Sequence, residues 1–165
     1  MQNEIEVDHL KVHFTEMPVF TEIPLRKGLD SRFMSRLYPL RTRNMTIFDT
    51  EFINLRSLLH MECENLDIYR DEVKGSDIGA LMKEWINGGL KKLKTFYCHS
   101  RETQIDPEGF RDIPAKPTST PPPAMFPYPE DWNRYALEIV RVDDGRSANF
   151  LWYVDEFWFY ITEGN

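Results

Sequence analysis

Two histidines four residues apart, His9 and His13, and the dipeptide Cys98-His99 are the positions whose types and spacing could support chemistry. An i, i+4 histidine pair on a helix would offer two nitrogens to one metal ion. A cysteine with a histidine base would offer an activated thiolate. Both readings depend on the elements that carry the residues. His9 and His13 sit in IEVDHLKVHF (5–14), which alternates like a strand and has no H-E-x-x-H. The usual strand rise would hold that pair about 13 Å apart. Cys98 and His99 end another strand-like run, where neighbours point to opposite faces, so this histidine cannot serve that thiol. Glu62, Glu64, Asp67, Asp71 and Glu72 alternate with apolar residues, as on a solvated strand face and loop. Gly88-Gly89 ends a helical pattern instead of opening one, unlike a phosphate cradle. There is no P-loop, dinucleotide fingerprint or nucleophile elbow. The expectation is a protein that is not an enzyme, with no catalytic residue, no cofactor and no metal.

At 165 residues, 41% hydrophobic and 13% aromatic, the chain suits one globular domain. A net charge of −7 disfavours a nucleic-acid surface. No apolar run approaches the roughly 18–20 residues of a membrane span. MQNEIEVDHLKVHF lacks the basic start and apolar core of a signal peptide. Two cysteines, Cys63 and Cys98, are too few for a disulfide scaffold, so an intracellular, reducing location (cytoplasm or nucleus) is expected.

The sequence echoes itself. LRSLLHMEC (55–63) and LKKLKTFYC (90–98) share L-x-x-L-x-x-x-x-C, and LYPLRTRNMTIF (37–48) aligns with LLHMECENLDIY (58–69) at a spacing of 21. Spacings in the low twenties with placed leucines predict a leucine-rich-repeat-like stack of strand-helix-strand units. Cys63 and Cys98 then occupy equivalent, inward positions as reduced structural thiols. In GSDIGALMKEWINGG, Ile78, Leu81, Met82, Trp85 and Ile86 form one apolar stripe, predicting a helix over 77–87. Ser76 or Asp77 would cap it and Gly88-Gly89 would stop it. Strands at 66–69 and 93–98 on either side make a parallel β-α-β unit.

Eight prolines fall within about 100–133. They predict an extended surface loop or, alternatively, a polyproline ligand for an aromatic groove. The chain then reads as a hairpin: YALEIVRV (135–142), an Asp-Gly turn, and SANFLWYV (147–154), followed by the aromatic strand FWFYI (157–161). The fold class expected is α/β: the repeat-like stack, a C-terminal β-hairpin and a proline-rich loop.

The stretch 58–93 resembles the type 2 F-box-associated domain of nematode F-box proteins. The matching residues are Leu58-Leu59, Met61, Cys63, Leu66, Ile68, Leu81, Trp85, Ile86, Gly88 and Leu93, with Glu138–Arg141, Asp144-Gly145 and Ala148 similar to the family's later hairpin. The family's helix usually carries a Leu-Asn pair where this chain has Ile78-Gly79. The resemblance implies an F-box-associated-like domain over 45–165, after a strand-containing segment, 1–44, in which Ile23-Pro24-Leu25 only faintly echoes an F-box opening. It further implies substrate recognition for a ubiquitin ligase, the adaptor joining only if an F-box is supplied elsewhere. The competing reading is a free-standing interaction or decoy protein. The partner expected is an unknown protein, not nucleic acid or membrane.

Alternation divides the hairpin into two faces. With Ala148, Phe150 and Trp152 turned to the core alongside Ile139, the residues left for a partner are Val140, Leu151 and Tyr153. Packing of the proline-rich segment over that second face is the alternative.

Overall fold

The run ECENLDIYR puts Leu66 and Ile68 on one side and Asn65, Asp67 and Tyr69 on the other, and RTRNMTIF repeats the pattern with Met45 and Ile47. Burying both apolar pairs on one face requires the runs to lie side by side in register. In the computed structural model, which describes residues 6–13, 41–48, 62–124 and 130–162, they do so. β1 (Glu6–His13), β2 (Arg41–Phe48), β3 (Glu62–Arg70) and β4 (Thr95–Ser100) are parallel neighbours. Asn44 pairs with Asn65, Met45 with Leu66, Ile47 with Ile68 and Phe48 with Tyr69, so the echo at spacing 21 is the strand register itself. Asn65 donates its amide to Asn44 Oδ1 at 2.7 Å and accepts from the Thr95 hydroxyl at 2.8 Å, tying three strands by side chains. The echo's outer positions, Leu37, Leu40 and Leu58 to Met61, lie outside the described residues, as does Ile23-Pro24-Leu25.

The sheet then changes direction. β4 pairs antiparallel with β8 (Glu156–Thr162), β8 with β7 (Ser147–Tyr153), β7 with β6 (Leu137–Val140), and β6 with the two-residue β5 (Lys116–Pro117). The order is β1-β2-β3-β4-β8-β7-β6-β5. This overturns the leucine-rich-repeat-like stack. The register steps by 35 residues from His9 to Asn44, by 21 from Asn44 to Asn65 and by 30 from Asn65 to Thr95, where stacked repeats need a constant step. One α-helix is present among the described residues, and the other half of the sheet is antiparallel. The echo at spacing 35 is not a structural repeat either, because Cys98 pairs with Ile68 and Cys63 with Thr42.

The helix α1 (Gly75–Ile86) crosses between β3 and β4, as its apolar stripe requires. Ile78, Leu81, Met82 and Trp85 are buried to within 1% of completely, and Trp85 meets Phe159 edge-on at 5.3 Å. The helix begins two residues before the expected start. Lys74 is the N-cap and makes no side-chain cap, its carbonyl accepting from Asp77 and Ile78 N–H instead. The stop falls where expected: Gly88 takes φ +94°, its N–H bonds to the Trp85 carbonyl and that of Gly89 to the Glu84 carbonyl, a Schellman closure. Gly75 and Gly79 bring α1 against the 3₁₀ turn Pro107–Phe110, where β-carbons would run into the backbone of Asp106 and Gly109.

Arg141 joins the helix end to the hairpin. Its side chain is fully buried, donates to the Gly88 carbonyl and to Asp143 Oδ1, and lies 5.6 Å from the Trp85 ring centre. A cation at a helix C-terminus meets the negative end of the dipole, so Arg141 closes α1 electrostatically as well as by hydrogen bond. Asp143's carboxyl is held below its usual range by that bond from Arg141.

Candidate interaction surface

The sheet has one face under α1 and a second facing away. Three rows of side chains cross the second face. One row runs Asn149, Tyr160, Thr95, Asn65, Asn44; the next Leu151, Trp158, Tyr97, Asp67, Thr46; the third Tyr153, Glu156, His99, Tyr69. The two-residue alternation of each strand puts them there. Over β7 and β8 the rows carry large apolar and aromatic groups, and over β2 to β4 they turn polar.

The apolar part is a small second core of Tyr97, Ala136, Leu151, Trp158 and Tyr160, with Trp132 packed against it. The proline-rich segment runs along it as a strap and ends in Trp132, which packs on it. Lys116-Pro117 pairs with Leu137-Glu138, the Thr118 N–H bonds to the Ala136 carbonyl at 3.2 Å, and Pro122 is buried. The Thr120 carbonyl accepts from Tyr160 Oη at 3.2 Å and Asn149 Nδ2 at 3.5 Å. The segment is therefore a loop packed on its own sheet; residues 125–129 lie outside the described residues.

Leu151 needs correcting on this account. It is fully buried, because its face has a second cover, although the division of β7 into Ala148 and Phe150 on one side and Leu151 and Tyr153 on the other is as read from the sequence. Val140 and Tyr153 are exposed, at 46% and 43%. They do not form one patch. Val140 pairs with Ser147 at one end of β7 and Tyr153 stands at the other, six residues or about 20 Å away.

At the polar end Tyr97 donates to Glu156 Oε1 at 2.6 Å, His99 Nε2 lies 3.2 Å from Asp155 Oδ2, and Tyr69 meets Tyr97 edge-on at 5.6 Å. Burial first, then the Glu156 hydrogen bond, pushes the Tyr97 hydroxyl far up. Tyr69 is raised by burial and by the carboxylates of Asp67 and Glu156. Phenols so placed stay protonated and act as donors. Cys98 turns into the main core while His99 turns to Asp155, so the two do not meet. Burial pushes the Cys63 thiol up to about 12 and Cys98 further. His9 and His13 are on β1, and no group of three or more metal-ligating side chains occurs among the described residues.

Asn149, Tyr97 and Tyr69 were not singled out by the sequence, and a residue of FWFYI was assigned to this face without being named. The usable signal was parity: in FWFYI the positions out of phase with Phe157 and Phe159 are Trp158 and Tyr160, too large and apolar for an uncovered face.

From β2 to β4 run the features that resembled a family: the leucine- and cysteine-bearing β3, α1 with Trp85 in its last turn and Gly88 closing it, and β4. Residues 35–98 match the F-box associated family. The resemblance read from 58–93 holds over this longer stretch. No curated protein and no solved structure matches the chain. The F-box associated stretch spans the parallel strands β2 to β4 with α1; strands β5 to β8, the strap and, apart from Tyr97, the second core are outside it. No helix among the described residues is long and apolar enough to cross a membrane.

Proposed function

We propose that this chain is the substrate-recognition part of an F-box-type ubiquitin ligase receptor, acting inside the cell as a protein-binding module without an active site of its own. The observation that carries the reading is the F-box associated match over 35–98, which ties the chain to proteins whose role is protein interaction. The second face supports it. At its polar end it offers the partly exposed side chains of Tyr69 and Tyr153, a residue type that interfaces favour. The ligase adaptor would join only through an F-box supplied elsewhere.

Proximity labelling with the chain, followed by lifetime measurement of the labelled proteins with and without the chain, tests this. A subset should be stabilised when the chain is depleted or cullin-type ligases are inhibited. Labelled binders whose lifetimes do not respond would replace the ligase reading with that of a free-standing interaction or decoy protein.

A further inference from the structure

The strap and the sheet beneath it are mismatched in hydrogen bonding. Trp158 is fully buried and its indole Nε1–H has no acceptor; Asn149 is 1% exposed and its Oδ1 has no donor. Both belong to the second face, on the neighbouring strands β8 and β7, and flank Tyr160. Buried polar groups are paired in most proteins, so two orphans in one place call for a cause. For Asn149, which the strap touches at Thr120, the strap's composition supplies one. Pro121, Pro122 and Pro123 have no N–H to give Asn149. The N–H groups of Thr118 and Thr120 are spent on the Ala136 carbonyl and the Thr118 hydroxyl. The carbonyl that does reach the sheet, that of Thr120, is shared at 3.2 Å with the Tyr160 hydroxyl and 3.5 Å with the Asn149 amide, each longer than a normal hydrogen bond of its kind.

We infer that the groove of Asn149, Leu151, Trp158 and Tyr160 is a peptide-binding site that the strap fills imperfectly, and that its partner is an extended, proline-free segment of another protein. Such a segment lies along the path of residues 118–123. It keeps the carbonyl contact to Tyr160 and Asn149 Nδ2, and adds an N–H to Asn149 Oδ1 and a second carbonyl to Trp158 Nε1. A small or medium apolar side chain rests on Leu151 and the Trp158 ring. The strap then acts as an internal competitor, excluding ligands that cannot improve on its bonds. The inference rests on the reading of the chain as a protein-interaction module, and it locates that module's groove outside the F-box associated stretch.

A phage-displayed library of random twelve-residue peptides, selected on the full chain, tests it. Enriched peptides should move the Trp158 indole N–H resonance. They should bind Pro122→Gly, whose strap is loosened, about tenfold more tightly than wild type. They should bind Trp158→Phe about tenfold more weakly, and lose binding when proline replaces their central residue. Enriched peptides that leave the indole resonance unmoved, or bind wild type and Pro122→Gly equally, overturn the groove and leave the interaction reading intact. So does a selection with no enriched peptide, if the chain still captures its labelled partners equally well with Trp158→Phe.

Discussion

Gly79→Ala should destabilise this protein, although alanine is the better helix former. Gly79 lies where α1 touches the 3₁₀ turn Pro107–Phe110, and an alanine β-carbon would enter the Gly109 carbonyl, 2.9 Å from its carbon. Ordinary carbon contacts are about 3.5–4.0 Å, so helix and turn must separate by roughly 1 Å. The helix cannot yield toward the sheet, because Ile78, Leu81, Met82 and Trp85 already pack there without a gap for solvent. Overpacking of this kind costs about 1–3 kcal/mol. The gain in helix propensity returns about 0.8–1 kcal/mol. A β-carbon overlapping the backbone oxygen of Gly109 belongs to the upper part of the overpacking range, about 2–3 kcal/mol. The net loss is therefore on the order of 1–2 kcal/mol, which lowers a urea midpoint by roughly 0.5–1 M at a slope near 2 kcal/mol/M. Gly79→Asn, which puts a longer side chain at the same contact, should be no better. Lys83→Ala, on the exposed side of the helix, should stay within about 0.5 kcal/mol of wild type. If Gly79→Ala raises the midpoint, propensity is the only force at that position and the close approach of helix and turn is wrong.

Three further outcomes follow from the packing and the charges. Leu151→Ala should cost about 2–5 kcal/mol in urea unfolding, whereas Tyr153→Ser should change stability by less than about 0.5 kcal/mol; equal effects would mean that Leu151 is not buried in the second core. In a thiol titration of the native protein, Cys63 and Cys98 should react far more slowly than in an unfolded control, and raising the pH to about 9 should not release them, since burial holds both thiols protonated. The Asp143 carboxyl is depressed by Arg141, so its stabilisation is present above the unfolded value of about 3.9 and drains as pH falls through the lower folded value. Wild type and Asp143→Asn should therefore differ in urea midpoint at pH 6 and converge in strong acid; identical midpoints at pH 6 would remove the Arg141–Asp143 bond from the account.

The parts of the fold that local pattern could reveal were those held by local pattern. The stripe from Ile78 to Ile86 specifies a helix packed on one side, Asp144-Gly145 specifies a turn, and the alternation in IEVDHLKVHF specifies a strand. The parallel register of β2 on β3 was visible because matched side chains, above all Asn44 and Asn65, must meet across it. The direction of the β4–β8 pairing was not visible. It joins residues about 60 positions apart, and no motif in TFYCHS or EFWFYIT distinguishes a parallel from an antiparallel neighbour. The same limit hid the candidate groove. A covered face and an open one have the same parity, so Leu151 could be assigned to a face but not to water or to a cover. Asn149, a polar residue inside an apolar run, was the one sign that a buried hydrogen-bonding position lay there.

The antiparallel seam between β4 and β8 also sets the order of events during synthesis. The F-box associated stretch ends at residue 98, so its parallel strands and helix leave the ribosome while β8 is still being encoded. At about 5–20 residues per second, the interval before β8 emerges lasts roughly 3–12 s. Throughout it β4 presents a free row of N–H and C=O groups, with Phe96 and Cys98 beside it lacking Phe157 and Phe159. An unpaired edge in that state is open to pairing with other chains. The middle of the finished sheet is thus the place most exposed to misassembly in the nascent one, and the place where a chaperone would have most to protect.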